Sequence, residues 1–417
     1  MTGMPPALPS GDPAPTSGEL PPSALVGLGE RAFGIYLHVP YCRVRCGYCD
    51  FNTYAVGTAE VSGGTAGYAD LVKQELALAQ RVLGPETPRV STMFIGGGTP
   101  TLLPAADLVA MVQDVAARWG LVEGAEITTE ANPDTITPAV AHELVTGGFT
   151  RVSLGMQSAV PHVLATLDRT HDPAGVATAV SAVKATGMQV SLDLIYGTPG
   201  ESLDDWRWSL QSAIDLEPDH ISAYALTVEP GTKLAARVAR GELPMPEDDD
   251  EADKYELADS LLSAAGYHWY EVSNWSRSPE AQCRHNLGYW RGDTWWAAGP
   301  GAHSHVGGVR WWNVKHPTAY RDRLVGGLSP AAARETLTAA QRFDEKVLLG
   351  VRLAQGLPIA ELGEDAPERA HAIAELIADG LIQPLKALQD RTICLTLRGR
   401  LLADSVVRQL TSRSESG

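Results

Sequence analysis

The chain has 417 residues, of which 44% are hydrophobic and 20% are charged, which is the composition of an ordinary globular protein. Its formal net charge of -17 argues against a nucleic-acid partner, because so acidic a chain offers no basic stripe to neutralise phosphates. The five cysteines do not make a disulfide framework, and no stretch reaches the about 18 uninterrupted apolar residues of a membrane span. We therefore expect a cytoplasmic protein with no transmembrane segment.

Residues 1–30 are rich in proline and almost without aromatic residues. They contain neither the basic segment nor the apolar segment of a secretory signal peptide. A segment of this composition buries too little apolar surface to fold, so the sequence predicts a disordered tail over residues 1–30.

A cluster of cysteines follows the first apolar run. Cys42, Cys46 and Cys49 are spaced C-x3-C-x2-C, whereas Cys283 and Cys394 lie far away in the chain. Thiolates at such short spacing surround one metal centre. A structural zinc site needs four protein ligands, whereas three cysteines on a [4Fe–4S] cluster leave one iron free to bind a small molecule. The spacing therefore favours an iron–sulfur cluster.

Two other interpretations of the cysteines stay open at this point. One is a structural zinc site with Cys283 or His38 as the fourth ligand. The other is a set of three buried cysteines that only fill space. Iron content and a brown absorbance after anaerobic reconstitution distinguish a cluster from both.

Apolar runs alternate with amphipathic stretches in the first half of the chain. The runs predict strands over 34–39, 92–95, 126–130, 151–156, 190–195 and 221–226. The stretches between them predict helices over 68–83, 105–119, 138–146, 173–186 and 202–216. Strands that alternate with helices form a parallel sheet with right-handed crossovers. We therefore predict an α/β fold, a partial (β/α)6 barrel over residues 31–230.

Glycines and polar residues stand where the predicted strands end. The first strand runs into the cysteine loop, and the second ends in three glycines, Gly96 to Gly98, followed by Thr99. The third, fourth and fifth strands end at Glu130, Gln157 and Asp193. Because chemistry in barrels of this kind gathers at the carboxyl ends of the strands, these residues predict one site beside the cysteine loop.

The pattern changes after residue 230. Residues 231–330 contain an acidic run at the start of a helix and then a block of aromatic residues, and we interpret them as an extension of the barrel. Residues 331–417 combine two or three helices, two short strands over 381–385 and 392–397, and a final helix. This order predicts a C-terminal α+β module that resembles a winged helix.

The motifs at these places resemble those of known proteins. The cysteine spacing is similar to the signature of the radical S-adenosylmethionine (SAM) superfamily. HVPYC-RVRC-GYC, GGGTPT, TEANP, SLGMQS and DLIYGTPGE together resemble the oxygen-independent coproporphyrinogen III oxidase family over residues 33–320. The resemblance implies a radical SAM barrel with a [4Fe–4S] cluster on Cys42, Cys46 and Cys49. The residues that it places against SAM are Tyr36, Tyr48, Gly97, Gly98, Thr99, Glu130, Gln157, Arg169, Asp193 and Ala225.

Two features depart from the oxidases. Those enzymes carry a fourth cysteine two residues after the third, and this chain has Phe51 there. The segment from His285 to Trp290 reads HNxxYW, which is similar to a signature of HemW-type haem chaperones. This resemblance implies haem as a ligand, with His285 as a candidate axial ligand of its iron. Five tryptophans are candidate walls for a porphyrin, namely Trp290, Trp295, Trp296, Trp311 and Trp312. In the alternative interpretation, His285 and Asn286 form a buried hydrogen-bonded turn and the tryptophans belong to the core.

These resemblances lead to three hypotheses for function. The first is a haem chaperone that carries a SAM-chelated [4Fe–4S] cluster and passes haem to an acceptor protein that the sequence does not name. The second is an oxygen-independent coproporphyrinogen III dehydrogenase, which would need an electron donor for SAM cleavage. The third is a radical SAM enzyme that acts on an unrelated substrate. The sequence assigns no catalytic residue and leaves open whether SAM is turned over.

Overall fold

Six parallel strands alternate with helices in the computed structural model, which describes residues 9–58, 65–363 and 366–411. The strands are β1 (Phe33–Val39), β2 (Val90–Gly97), β3 (Leu121–Ala131), β4 (Arg151–Gln157), β5 (Gln189–Tyr196) and β6 (His220–Ala225). The helices between them are α1 (Tyr68–Leu83), α2 (Ala105–Trp119), α3 (Pro138–Thr146), α4 (Pro161–Thr166), α5 (Pro173–Lys184) and α6 (Leu203–Asp215). Each strand pairs in parallel with the next. This topology confirms the predicted partial (β/α)6 barrel.

Local signals in the sequence account for most of the helix bounds. Helices α1, α2 and α3 begin and end at the predicted residues. The side chain of Thr137 caps α3 by accepting a hydrogen bond from the backbone of Val140, and Ser202 with Asp205 forms a capping box at α6. Helix α4, which follows β4, is short, and the sequence pattern did not predict it. Local sequence patterns therefore predict the main helices of the barrel, whereas they do not predict a short connecting helix such as α4.

The next hundred residues extend the sheet on both sides. The added strands are β7 (His268–Glu271), β8 (Asn274–Ser276), β9 (Thr294–Ala298), β10 (His303–Val306), β11 (Val309–Asn313) and β12 (Ala331–Thr336). The helices in this part are α7 (Lys233–Ala239), α8 (Asp248–Ala264), α9 (Arg284–Arg291) and α10 (Pro317–Val325). Strand β8 pairs with β6, and β9 pairs in parallel with β1, so the sheet grows to twelve strands, and the short strand Asp12–Pro13 adds a thirteenth. None of the helices in the described ranges is long and apolar enough to cross a lipid bilayer.

Residues 9–30 differ from the disordered tail that the sequence predicted. Asp12 and Pro13 pair with β12, and the backbone of Thr16 accepts a hydrogen bond of 2.7 Å from the backbone of Ser329. Ala24 and Leu28 are buried in the main core. Proline favours extended backbone, and here that backbone covers the edge of the sheet. The remainder of the predicted tail, residues 1–8, lies outside the described residues.

The C-terminal module begins after β12, which belongs to the sheet, and therefore later than the predicted residue 331. Its helices are α11 (Ala339–Gly350), α12 (Ala366–Ala378), α13 (Pro384–Leu388), α14 (Leu397–Leu401) and α15 (Ala403–Thr411). They enclose a hydrophobic core of their own. The predicted pairing of 381–385 with 392–397 is reduced to one bridge between Ile382 and Leu395, because α13 takes up the residues that follow. A salt bridge of 2.7 Å from Arg400 to Asp259 joins the module to α8.

A buried carboxyl group connects α1 to the extension. Glu75 accepts hydrogen bonds from the backbone of Gly299 at 2.9 Å, from Asn313 at 2.7 Å and from the Tyr320 hydroxyl at 2.6 Å. Burial raises its pKa to about 7. Burial likewise raises the pKa values of other carboxyl groups, to about 8 for Glu130 and to about 7 for Glu201 and Glu271. The folded protein therefore holds several protons that the unfolded chain releases at lower pH.

We predict that the thermal stability falls as the pH rises from about 5 to about 8, because the unfolded chain loses these protons first. In the variant Glu75→Gln one of the responsible groups no longer titrates, so its unfolding midpoint should fall less steeply over the same range. Glu143→Gln, at an exposed carboxyl on α3, serves as the control and should keep the wild-type slope. Scanning calorimetry at several pH values measures both, and equal slopes for the two variants would contradict the assignment.

Candidate cofactor site at the barrel mouth

A cavity of about 630 Å³ lies inside the barrel and opens at the carboxyl ends of the strands. Every residue that the sequence predicted for the site lines it. These residues are Tyr36, Cys42, Cys46, Tyr48, Cys49, Gly97, Gly98, Thr99, Glu130, Gln157, Arg169, Asp193, Ala225 and His285. Residues far apart in the chain meet here because parallel strands place their carboxyl ends at the same edge.

The cysteine loop follows β1 and is fixed by backbone hydrogen bonds. The amide of Cys49 donates to the carbonyl of Cys46 at 3.2 Å, and the amide of Gly47 donates to the carbonyl of Leu167 at 3.3 Å. The amide of Val56 donates to the carbonyl of Cys42 at 2.9 Å. The loop is thus held at both ends, and its three cysteines line the cavity.

The thiols of this loop lie close to one another, with Cys42 buried and Cys46 and Cys49 half-buried. Burial, followed by the neighbouring thiols of Cys49 and Cys46, raises the pKa of Cys42 to about 12. Burial and then Cys46 also raise the pKa of Cys49. Thiolates crowded in this way need a cationic partner, and the iron of a cluster supplies one. The three side chains therefore fit a [4Fe–4S] cluster.

The glycine triplet at the end of β2 brings backbone against the cysteine loop. The amides of Gly98 and Thr99 donate to the carbonyls of Val39 at 2.8 Å and Tyr41 at 2.7 Å. A Cβ atom on Gly98 would lie 2.9 Å from the Cys42 sulfur and nearer still to the Tyr41 carbonyl. Gly97 has a φ of +113°, which residues with a side chain rarely adopt. The triplet is therefore required by close packing around the loop.

Two carboxyl groups lie deeper in the cavity. Glu130 accepts a hydrogen bond of 2.9 Å from the backbone of Gly97, and Asp193 accepts one of 2.8 Å from Ser153. Burial and then the neighbouring Asp193 raise the pKa of Glu130 to about 8, and burial raises the pKa of Asp193. A ligand with positive charge and hydroxyl groups would satisfy both carboxylates. SAM has both features.

Arg169 joins the cysteine loop to the ends of β3 and β4. One of its terminal nitrogens lies 3.5 Å from the Cys46 sulfur, and the other donates to Asn132 and to the Gly155 carbonyl, each at 2.9 Å. Gln157, at the end of β4, has a φ of +61°, a strained conformation for a residue with a side chain. Strain of this kind is concentrated at binding sites, and here it turns Gln157 into the cavity.

His285 lies at the closed end of the cavity, and both of its ring nitrogens are already hydrogen-bonded. Nδ1 lies 2.9 Å from the Thr92 hydroxyl, and Nε2 lies 2.8 Å from the Tyr289 hydroxyl. The imidazole is buried, and burial lowers its pKa to about 3. This geometry is that of the alternative interpretation, a buried hydrogen-bonded histidine. Ligation of haem iron would require one of these bonds to break.

The aromatic block also differs from the suggested porphyrin walls. Trp296, Trp311 and Trp312 are buried in the sheet, and only Trp290 and Trp295 are partly exposed. Trp296 and Trp311 pack edge to face at 4.8 Å between ring centroids. These tryptophans are buried because β9 to β11 continue the large sheet beyond β1, which periodicity alone did not reveal.

The proposed fourth ligands for zinc are engaged elsewhere. His38 donates from Nε2 to the carbonyl of Asn52 at 2.9 Å, and its Nδ1 accepts from the Tyr36 hydroxyl at 3.0 Å. Cys283 lies at the closed end of the cavity, with its thiol 3.5 Å from Glu126. The surroundings of both residues thus favour the cluster over a zinc site.

Small polar residues that the sequence motifs did not single out also line the cavity. Thr128, Ser153, Ser191 and Ser222 point into the barrel and line the cavity. Thr128, Ser191 and Ser222 lie near Glu130 or Asp193 in the sheet, and Ser153 pairs with Glu130 in register. The two-residue alternation of a strand was the signal that would have found them.

Comparison with known proteins agrees with this geometry. Residues 36–213 match the radical SAM superfamily, and residues 337–402 match the HemN C-terminal domain. A heme chaperone HemW of Mycobacterium tuberculosis is 52% identical over 94% of this chain and 97% of its own. A heme chaperone HemW of Synechocystis is 34% identical over 83% of this chain and 84% of its own. This chain belongs to the HemW family of radical SAM proteins.

A solved structure supports the fold. The coproporphyrinogen III oxidase HemN from Escherichia coli superposes with a TM-score of 0.78 at 22% identity, covering 93% of this chain and 92% of its own. At that identity the likeness concerns the fold alone. Membership of the radical SAM superfamily establishes a [4Fe–4S] cluster and SAM as cofactors of this HemW-family protein.

We predict that Gly98→Ala prevents assembly of the cluster, because the added methyl group would overlap the Tyr41 carbonyl and crowd the Cys42 sulfur. Iron content and visible absorbance after anaerobic reconstitution measure the effect. Gly175→Ala, where a Cβ atom meets nothing within 4 Å, is the matched control and should bind iron as the wild type does. Full iron loading of Gly98→Ala would show that the loop tolerates the methyl group.

Proposed function

We propose that this chain is a cytoplasmic haem chaperone that binds haem and transfers it to an acceptor protein, with a SAM-chelated [4Fe–4S] cluster at the barrel mouth. The observation that carries the proposal is similarity along nearly the whole chain to proteins named heme chaperone HemW, at up to 52% identity. Phe51 supports it, because it stands where the oxidases have a fourth cysteine. The acceptor is unidentified.

In this proposal the cysteine loop holds the cluster through Cys42, Cys46 and Cys49. When bound and reduced by an electron donor, the cluster supplies the electron for SAM cleavage. The backbone of Gly97, Gly98 and Thr99 lies beside the cluster position and leaves room for the methionyl part of SAM. The other proposed SAM contacts are Tyr36, Tyr48, Glu130, Gln157, Arg169, Asp193 and Ala225.

Charged residues of both signs line the cavity and would contact different groups of SAM. Glu130 and Asp193 line the same cavity, where their negative charge would favour a sulfonium and their oxygens would accept hydrogen bonds from an amine or from ribose hydroxyls. Arg169 lies next to the Cys46 sulfur, where a guanidinium suits a carboxylate. The position of these charges matches the charge distribution of SAM.

The competing function is that of an oxygen-independent coproporphyrinogen III dehydrogenase. The fold and the SAM site do not distinguish the two functions, since both use the same barrel. The HNxxYW segment and Phe51 separate them by sequence. A radical SAM enzyme with an unrelated substrate is the third candidate and predicts SAM cleavage without haem binding.

A pair of assays tests the proposal. The reconstituted protein is incubated anaerobically with reductant, SAM and coproporphyrinogen III, alongside an active oxidase, and the porphyrins are separated after oxidation. A second sample is titrated with haem and followed at the Soret band. We expect saturable haem binding and no porphyrinogen conversion. Catalytic formation of protoporphyrin would make the protein an oxidase and refute the chaperone function.

We also predict that SAM binds more tightly as the pH rises from about 6.5 to about 8.5, because Glu130, with its pKa of about 8, must lose its proton to face a cation. Equilibrium dialysis with cluster-loaded protein measures the affinity. The amine of SAM titrates in a similar range, so the contribution of Glu130 is the difference between wild type and Glu130→Gln. Parallel profiles for the two proteins would remove Glu130 from the SAM site.

A further inference from the structure

The mouth of the cavity exposes large apolar side chains that the cofactor site does not use. Phe51 is 58% exposed and Val44 is 49% exposed, and both line the cavity beside the cluster cysteines. Single exposed apolar residues are common on protein surfaces. Here, however, the exposed ring follows the third cysteine by two residues, so it stands at the entrance to a site whose chemistry requires the exclusion of water.

Two cations belong to segments that are hydrogen-bonded to the chain at or next to Phe51. Arg45 donates hydrogen bonds to the carbonyls of Cys49 at 3.1 Å and Phe51 at 3.4 Å. The carbonyl of Lys315 accepts a hydrogen bond of 2.9 Å from the side chain of Asn52, the residue that follows Phe51. Burial and then the charge of Arg45 lower the pKa of Lys315. Like charges held together in a chain of net charge -17 attract anionic groups to this place.

The remaining charges of the mouth limit how an anion can approach. Arg43 is paired with Asp134 at 2.8 Å and is therefore neutralised locally. The carboxyl groups of Asp50 and Glu229 also line the cavity. An anionic ligand must consequently place its charges on the Arg45 and Lys315 side of the loop, with its apolar part over Phe51.

The closed end of the cavity offers a planar ligand no comparable place. His285 has both ring nitrogens hydrogen-bonded, and Glu126 accepts hydrogen bonds from the backbone of Arg284 at 2.8 Å and of His285 at 3.1 Å. The HNxxYW segment is thereby anchored as the floor of the barrel. A second cavity, lined by His285 and Tyr289, has a volume of about 230 Å³, against about 630 Å³ for the cavity at the mouth.

We infer that haem docks at the mouth of the barrel, with its macrocycle on Phe51 and Val44 and its propionates toward Arg45 and Lys315, rather than on His285. The inference rests on the proposed haem-chaperone function and names the place where haem is held. A flat apolar ring with two carboxylates matches an exposed aromatic side chain whose neighbouring segments carry two cations. Haem in this position would also cover the cluster and exclude water from it.

Haem titration of single variants tests the location. Phe51→Ser removes the apolar contact and should weaken haem binding about tenfold, the effect of losing part of a buried aromatic contact. Lys315→Glu reverses a charge without touching the cysteine loop and should weaken binding while reducing its dependence on salt. Iron content and thermal unfolding of each variant verify that the cluster and the fold persist.

Matched controls come from α6, outside the cavity. Trp208→Ser removes another aromatic side chain, 63% exposed, and Arg207→Glu reverses another surface charge. Both should bind haem as the wild type does. His285→Ala should also retain haem binding if the protein folds.

The outcomes distinguish the haem-chaperone function from the location of the haem site. Absence of haem binding by the wild type would refute the proposed function itself. Wild-type binding that persists in Phe51→Ser and Lys315→Glu would leave the function intact and overturn the location. Loss of haem in His285→Ala alone, with normal stability, would assign haem to the HNxxYW segment instead.

Discussion

The structure of the barrel mouth depends on burying groups that prefer to be charged. Cys42, Cys49, Glu130 and Asp193 share one cavity, and burial raises the pKa of each. Such groups stay neutral unless a cation accompanies them, because ionisation in a low-dielectric site is costly. A cluster and a sulfonium provide positive charge at the two depths where the thiols and the carboxyls lie. The cofactors therefore complete the electrostatics of the fold.

The floor of the barrel is built on a related principle. Glu126 points inward from β3 and receives the backbone amides at the beginning of α9, where a helix favours negative charge. It also lies 3.6 Å from the buried guanidinium of Arg151, so the carboxylate is compensated. This arrangement gives the HNxxYW segment a structural task, the closure of the barrel, whatever else it binds. A motif that identifies a family can thus have a structural role in packing.

The two ends of the barrel consequently differ in character. The floor is closed by hydrogen bonds that occupy both ring nitrogens of His285, whereas the mouth exposes Phe51, whose carbonyl accepts a hydrogen bond from Arg45. Replacing a cysteine by an aromatic residue at this position removes a possible metal ligand and adds an apolar surface. The same scaffold can in this way serve an oxidase or a protein that holds haem, since function lies in the residues that a fold presents.

The sequence by itself determined the alternation of strands and helices, the cysteine loop and the residues at the strand ends, because these depend on local periodicity and on the fixed geometry of parallel strands. It did not determine the place of residues 9–30, whose composition indicates disorder but which gain a sheet edge and a core contact through Ala24. Nor did it determine that His285 is fully hydrogen-bonded, since Thr92 lies 193 positions away. The hydrogen-bond partners of a buried side chain and the exposure of a ring such as that of Phe51 depend on distant segments, so only the tertiary structure decided them.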